Sequence, residues 1–341
     1  MTATRPVPRP HRSFRARGTV LRLVVGVLAG VLLLTGCDLR LETPAPEEPA
    51  PDAIEIVRRR AVEDAVALAA AAQAAAADPD VAADATLTRT LGQVMTFSAR
   101  HADQLGGTYD SGLEPTATPT QATTAVTASP SDVLTLLSVT ALTARGDADT
   151  VETGEMARLL ASVATSRATL AGVLAGALGV EDPTEPATAT AAPEIGAVDP
   201  SALAALVVAE DEAGYAFEVI AAKLADAQRA AALDAAAGHR ASAQGWAVAV
   251  GLDGTSADPR RAAYALPSGL DDPAVAVGLA RTVQTGLATS YASLVAAGAA
   301  GTRAAAVRGL QAAADESLVW GAEPVAFPGL PEQADGAADA A

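Results

Sequence analysis

The chain has 341 residues, a formal net charge of −17 at pH 7 and a single cysteine. A surface this acidic repels the phosphates of nucleic acids and of anionic lipids, which argues against a nucleic-acid-binding protein. One cysteine also excludes an internal disulfide and a site built from several thiolates, while the length allows two domains of ordinary size.

The first 36 residues have the layout of a secretory signal peptide. Six arginines and no acidic residue precede the apolar run 23–34. This run is well short of the ~20 residues that a helix needs to span a bilayer. The run ends in Leu34-Thr35-Gly36-Cys37, which resembles the lipobox of bacterial lipoproteins. That resemblance implies cleavage between Gly36 and Cys37 and a diacylglyceryl group on the Cys37 thiol. The alternative is an uncleaved signal anchor with an incidental cysteine.

Lipidation would place the mature protein at a membrane. Two acyl chains hold a protein firmly, at ~0.8 kcal/mol for each buried CH₂, so we expect an N-terminal lipid anchor on the extracytoplasmic face of the cell membrane. Loss of residues 1–36 removes six arginines and shifts the formal charge from −17 to −23. We therefore expect no nucleic-acid partner, while a basic protein of the cell envelope stays open as a partner of unknown identity.

Composition predicts an all-α protein. Alanine, leucine, glutamate and arginine dominate, and no alternating β-branched pattern indicates a strand. The predicted segments are a Pro-rich tether at 37–51, an N-terminal helical bundle at 52–180, a polar linker at 181–198, a second bundle at 199–332 and a disordered tail at 333–341. We expect the linker to separate two parts that fold on their own.

Each half is predicted to contain four helices with one long connection in the middle. The expected helices are 53–77, 81–105, 131–145 and 150–180, then 200–227, 229–250, 273–299 and 302–323. The long connections are the Thr- and Pro-rich loop 106–130, whose glycosylation is open, and the segment 251–272. Four helices with one long crossover are the ferritin-like form of the four-helix bundle, so we predict two four-helix bundles in tandem.

Several segments of the second half carry a resemblance to a known family. They are, in order, Ala209-Glu210-Asp211-Glu212-Ala213-Gly214-Tyr215-Ala216, Gly238-His239-Arg240, Ala263-Tyr264-Ala265-Leu266-Pro267 and Ala326-Phe327-Pro328-Gly329-Leu330-Pro331. Over residues 200–332 the chain resembles an uncharacterised ferritin-like domain family of actinobacterial lipoproteins. What the resemblance implies is the fold, because no activity of that family is settled.

A ferritin-like bundle raises the question of a paired metal site. Such sites take one Glu from each of two helices and a Glu-x-x-His from each of the other two. Glu210 and His239 fit two of these positions, and Glu316 is a third candidate, but Ala236 occupies the position three residues before His239 and the third helix offers no carboxylate. We therefore predict no catalytic residue, no metal site and no cofactor. We expect Glu210 to pair with His239 or with an arginine such as Arg240 or Arg281.

Three functions stay open at this point. The first is a binding or scaffold module of the cell envelope, with an incomplete metal site. The second is a divergent metal-dependent oxidase or iron-handling protein, which needs acidic ligands that the helices lack. The third is a receptor for a small ligand held between loosely packed Ala/Gly helices. We expect a non-enzymatic protein, and His101 is predicted to be a core or boundary histidine without a ligand role.

Overall fold

A computed structural model describes residues 50–111, 127–184, 198 and 200–334. Within these ranges the chain forms nine α-helices and no β-strand, which confirms the all-α prediction. The helices are α1 (Ala53–Ala76), α2 (Pro79–Ala82), α3 (Ala85–Gln104), α4 (Pro130–Thr150), α5 (Gly154–Leu178), α6 (Pro200–Lys223), α7 (Asp226–Ala249), α8 (Pro273–Ala297) and α9 (Ala304–Val319), with a 3₁₀ turn at Pro331–Gln333.

Several predictions fall wholly or partly outside the described residues. They are the signal peptide 1–36, the Gly36–Cys37 cleavage and lipidation site, most of the tether 37–51, most of the loop 106–130, most of the linker 181–198 and most of the tail 333–341. All of these remain predictions.

The first bundle consists of α1, α3, α4 and α5. One buried cluster holds the C-terminal ends of α1 and α5 together with the N-terminal parts of α3 and α4. Helices α1 and α5 therefore run in one direction, and α3 and α4 run in the opposite direction. The connection from α3 to α4 must therefore return along the whole bundle. Helix α1 packs against α3 and α4, and α5 packs against the same two helices, so the four form a closed ring.

The second bundle, α6 to α9, repeats this arrangement of directions. The end of α6 and Trp320, just beyond α9, share a buried cluster with the N-terminal parts of α7 and α8. Its ring is nevertheless incomplete. Helix α6 packs against α7 and α8, and α8 packs against α9, but no comparable packing joins α7 to α9 in the described chain. The second bundle is open along that side.

A segment that we call the C-terminal strap, residues 324–330, runs from the second bundle onto the first. The His101 imidazole on α3 donates from Nε2 to the carbonyl oxygen of Ala326 at 2.7 Å. On α5, the Ser162 hydroxyl donates to the carbonyl of Pro328 at 2.8 Å and the Ser166 hydroxyl to that of Val325 at 3.1 Å. The Phe-Pro-Gly-Leu-Pro motif of the sequence therefore ties the two bundles together.

The two bundles also share buried apolar surface. The largest core cluster combines residues of α1 and α5 with residues of α6, α8 and α9, as well as Phe327 and Leu330 of the strap. Whether each bundle folds independently stays a prediction. Helix α5 is the one helix of the described ranges that is long and apolar enough to cross a membrane, and 78% of its apolar window is buried within the protein, which is typical of a core helix.

Local contacts explain where the predicted helix ends were wrong. The helix predicted at 81–105 is divided into two. The Asp84 carboxylate accepts hydrogen bonds from the backbone N–H groups of Thr86 and Leu87 and so caps a new helix. Helix α4 continues five residues past the predicted end at 145 because Asp147 and Ala148 are buried against neighbouring helices. The last helix ends at Val319, before the predicted 323, because Gly321 turns the chain with a φ of +79°.

Candidate functional site

The open side of the second bundle forms a cleft of about 430 Å³ between α7 and α9. We call it the α7/α9 cleft. Its walls are contributed by one face of each of these helices, and its floor by side chains of α6 and α8. Apolar side chains such as Leu287 and Val319 and several alanines make up most of the surface. Its volume lies in the range of ~300–1,000 Å³ that small-molecule sites occupy.

A buried carboxylate lies at the floor of this cleft. Glu210 on α6 is 2% exposed, and its two oxygens accept hydrogen bonds from different helices. The Tyr291 hydroxyl on α8 donates to Oε1, and Nδ1–H of His239 on α7 donates to Oε2 at 2.8 Å. The predicted pairing of Glu210 with His239 is therefore confirmed. One predicted alternative partner, Arg240, bonds to Asp211 and Glu218 instead.

The hydrogen-bond chain continues from His239 to α8. The Nε2 atom of His239 lies 2.9 Å from Nε2 of Gln284, an amide nitrogen that can only donate. Because the Glu210 carboxylate can only accept, Nδ1 of His239 carries a proton where it faces Glu210. Its ring stacks on Phe217 with 5.4 Å between the centroids. The Oε1 atom of Gln284 is buried and has no hydrogen-bond partner among the described residues.

Tyr291 completes the floor. Burial, and then the adjacent Glu210 carboxylate, raise the pKa of the Tyr291 hydroxyl well above its usual value, so it stays protonated and donates to Glu210. Nε1–H of Trp246 donates to the same hydroxyl at 3.4 Å. Gly309 on α9 makes room for the Tyr291 ring, because a Cβ at that position would overlap the ring atoms. We call Glu210, His239, Gln284 and Tyr291 the floor cluster.

Three further polar side chains line the α7/α9 cleft. Asp234 and Ser242 on α7 make no hydrogen bond or ion pair with another described residue, whereas Glu316 on α9 accepts from the Trp320 indole at 3.0 Å through Oε1 only. No lysine or arginine of the described chain lines the cleft. The cleft is therefore acidic and rich in hydrogen-bond acceptors.

The residue next to Glu210 shows what a fully paired carboxylate looks like in this bundle. Asp211 forms an ion pair with Arg240 and accepts from the Tyr264 hydroxyl at 2.7 Å and the backbone N–H of Arg261 at 3.1 Å. Burial, followed by the bond to Asp211, raises the pKa of Tyr264 to about 12. These contacts pin the crossover between α7 and α8 to α6, which gives the Tyr-Ala-Leu-Pro motif a structural role.

The remaining sequence-predicted residues lie apart from the floor cluster or at its edge. Glu316 lines the cleft. The neighbouring Asp315, which was not among the predicted residues, bonds to Thr169 and Gln311 instead, and burial raises its pKa. His101 is a buried core histidine of the first bundle, as predicted. Among the described residues, no group of three or more His, Cys, Asp or Glu side chains is placed to hold a metal ion.

Neither the role of Tyr291 nor the bond between Gln284 and His239 was predicted from the sequence. A usable signal was present, because Gln284, Leu287, Ala288 and Tyr291 recur at helical spacing and form one buried face of α8. A glutamine and a tyrosine on such a face require hydrogen-bond partners, and Glu210 and His239 were the polar residues already placed on inward faces.

The cleft and the floor cluster lie within the part of the chain that matches a known family. Residues 202–332 match the family model described as "Domain of unknown function (DUF4439)", from within α6 to the 3₁₀ turn. The match covers nearly all of the second bundle and leaves out the first bundle. Comparisons with curated proteins and with solved structures found no match.

Proposed function

We propose that this protein is a lipid-anchored, extracytoplasmic binding protein that holds a small molecule in the α7/α9 cleft of a ferritin-like bundle. The observation that carries the proposal is the open side of the second bundle, where a polar floor cluster lies beneath a cleft of about 430 Å³. A buried polar cluster beneath a mostly apolar cleft is the usual form of a small-molecule site.

The ferritin-like part of the proposal is supported by helix direction. Helices α6 and α9 run one way, α7 and α8 run the other way, and a long crossover joins α7 to α8. One long crossover between parallel helices is the arrangement of ferritin-like bundles. The lipoprotein part is supported by the Leu34-Thr35-Gly36-Cys37 ending of an apolar segment, together with its arginine-rich start.

Metal chemistry is less well supported than small-molecule binding. Both ring nitrogens of His239 are engaged, one with Glu210 and one with Gln284, so a metal ion would have to displace one of these bonds. Helix α8 contributes Gln284 and Tyr291 to the floor, and neither is a carboxylate, whereas a di-metal site of this kind takes a carboxylate from every helix.

The cleft can be blocked without damage to the bundle. Gly238 lines the cleft, and a Cβ at that position meets no atom within 4 Å. Gly238→Leu should therefore fill the cleft and at the same time favour the helix. Gly245→Leu is a matched control, because Gly245 lies on the same helix with equally open surroundings and does not line the cleft.

A thermal-shift screen of small molecules against the wild type and both variants tests the binding proposal. Compounds that stabilise the wild type and Gly245→Leu, but not Gly238→Leu, would support it. A broad screen without any compound of this kind would contradict it.

The anchor is tested separately by intact-mass measurement of the membrane-extracted protein, which should begin at Cys37 with added acyl mass. A different first residue would refute the lipid anchor.

A further inference from the structure

We infer that the ligand of the α7/α9 cleft is a small organic amine, bound in its protonated form. This inference rests on the proposed function and adds the chemical class of the ligand. It follows from three features of the cleft: its charge, its unused hydrogen-bonding groups, and the buried carboxylate at its floor.

Among the described residues, the cleft is lined by three carboxylates and by no basic lysine or arginine side chain. The carboxylates are those of Asp234 on α7, Glu316 on α9 and Glu210 at the floor. A cleft with acidic walls concentrates cations and repels anions. Phosphates, carboxylates and other anionic ligands are therefore disfavoured.

The unused hydrogen-bonding groups are mostly acceptors. Both oxygens of Asp234 and Oε2 of Glu316 have no partner in the described chain, and Oε1 of Gln284 is buried without one. An unpartnered buried acceptor is destabilising, and a donor supplied by a ligand would relieve that cost. The Ser242 hydroxyl and the second N–H of the Gln284 amide are the unengaged donors on the described lining. A ligand that complements this set must bring several donors, as an ammonium group does.

The floor carboxylate also favours a cation. Glu210 is nearly completely buried, and its two donors are a tyrosine hydroxyl and an imidazole, neither of which is a permanent cation. The adjacent Asp211 has Arg240 as a counter-ion. A buried carboxylate without a counter-ion is costly, so a cation in the cleft would stabilise Glu210.

The size and the apolar walls point to an organic cation. Leu287 and Val319, together with alanines of α7 and α9, provide surface that a bare ion would not use, in a volume of about 430 Å³. The described acidic residues also do not come together as a ligand set for a metal ion. An amine with a compact apolar body satisfies the walls and the acceptors together.

The test is a charge-matched series of probes. Phenethylamine, 2-phenylethanol and phenylacetate share one apolar body and carry a positive, a neutral and a negative group. Isothermal titration calorimetry of the full chain in detergent should show one saturable site for phenethylamine, and binding at least about tenfold weaker for the other two, since a charge-assisted hydrogen bond is lost. The same titration with Gly238→Leu should show no binding.

Variants of the acidic wall separate specific binding from general attraction to an acidic protein. Asp234→Asn and Glu316→Gln should each weaken phenethylamine binding about tenfold. Glu212→Gln removes the same charge from an exposed position of α6 outside the cleft and should leave binding unchanged. Equal weakening by all three variants would overturn the inference.

The outcomes distinguish the two levels of the proposal. If 2-phenylethanol binds as tightly as phenethylamine and Gly238→Leu blocks both, the cleft is a binding site and the amine inference is wrong. If no probe binds and the wider screen yields no Gly238-dependent compound, the proposed function fails together with the inference.

Discussion

The two bundles have the same sequence of helix directions, and they differ in one contact. In the first bundle α3 packs against α5 and closes the ring, whereas in the second the corresponding helices α7 and α9 are separated by the α7/α9 cleft. Each bundle contains a histidine that bonds to a distant part of the chain, His101 fully buried and His239 half-buried. The same type of residue therefore serves packing in one bundle and lies at the floor of an open site in the other.

The buried polar groups of the first bundle illustrate the closed case. Arg167 is 1% exposed, and its guanidinium donates to the backbone carbonyls of Ala61 and Thr140 and lies 3.7 Å from Asp64. Burial lowers the pKa of Arg167 to about 10. These bonds hold helices together and leave no surface for a ligand. In the second bundle the floor cluster also joins helices, but the α7/α9 cleft lies above it.

The largest expected effect concerns the strap that joins the bundles. Gly329 has a φ of +77°, and a Cβ there would lie 2.7 Å from the Ala288 carbonyl and 2.9 Å from Leu310. Gly329→Ala should lower the free energy of unfolding by about 4 kcal/mol, from backbone strain and overpacking together. Gly321→Ala, at a similar φ in open surroundings, should cost only ~1 kcal/mol. Urea unfolding of both variants measures this, and equal losses would mean that the strap is not tightly packed.

The next effect concerns the floor cluster. Glu210→Leu should lower the free energy of unfolding by about 3 kcal/mol, because Tyr291 and His239 would both lose their acceptor. Glu210→Gln should cost only ~1 kcal/mol. The new amide can accept a hydrogen bond from the Tyr291 hydroxyl and donate one to Nδ1 of His239. This requires that the His239 proton moves to Nε2 and that the Gln284 amide rotates so that its oxygen accepts from Nε2. Equal losses in denaturant unfolding would show that the cluster contributes packing alone.

The buried His101 of the first bundle should make the free energy of unfolding depend on pH. Burial lowers the pKa of His101 to about 3, so the unfolded chain, with a histidine pKa near 6.5, binds the proton first as the pH falls. This contribution is present above about pH 6.5 and is lost as the pH falls toward 3. Between pH 7 and pH 5 the loss is about 2 kcal/mol. His101→Gln should remove this part of the pH dependence in urea unfolding, and an unchanged slope would contradict the assignment.

The smallest expected effect has the opposite sign. Gly238→Leu should raise the free energy of unfolding by up to ~1 kcal/mol, since a helical glycine is replaced and nothing lies within 4 Å of the new Cβ. Gly245→Leu should behave similarly. Thermal unfolding by circular dichroism measures both, and a destabilised Gly238→Leu would mean that the cleft is narrower than described.

Helical periodicity predicted most of the fold. Apolar spacing marks helices whose ends shift by a few residues when tertiary contacts intervene, as at Asp147 and Ala148. The Glu210–His239 pair was predictable because a charged group on an apolar helix face must find a partner. The open side of the second bundle was not predictable, because the packing of α7 against α9 depends on distances between helices that lie far apart in the sequence.

The central claim, that one bundle is closed and the other holds a ligand, is tested most directly by amide hydrogen exchange with and without phenethylamine. We predict that the ligand slows exchange in peptides of α7 and α9, and leaves peptides of α3 and α5 unchanged. Gly238→Leu should show no ligand effect in any peptide. Protection spread evenly over both bundles, or confined to α3 and α5, would contradict the account.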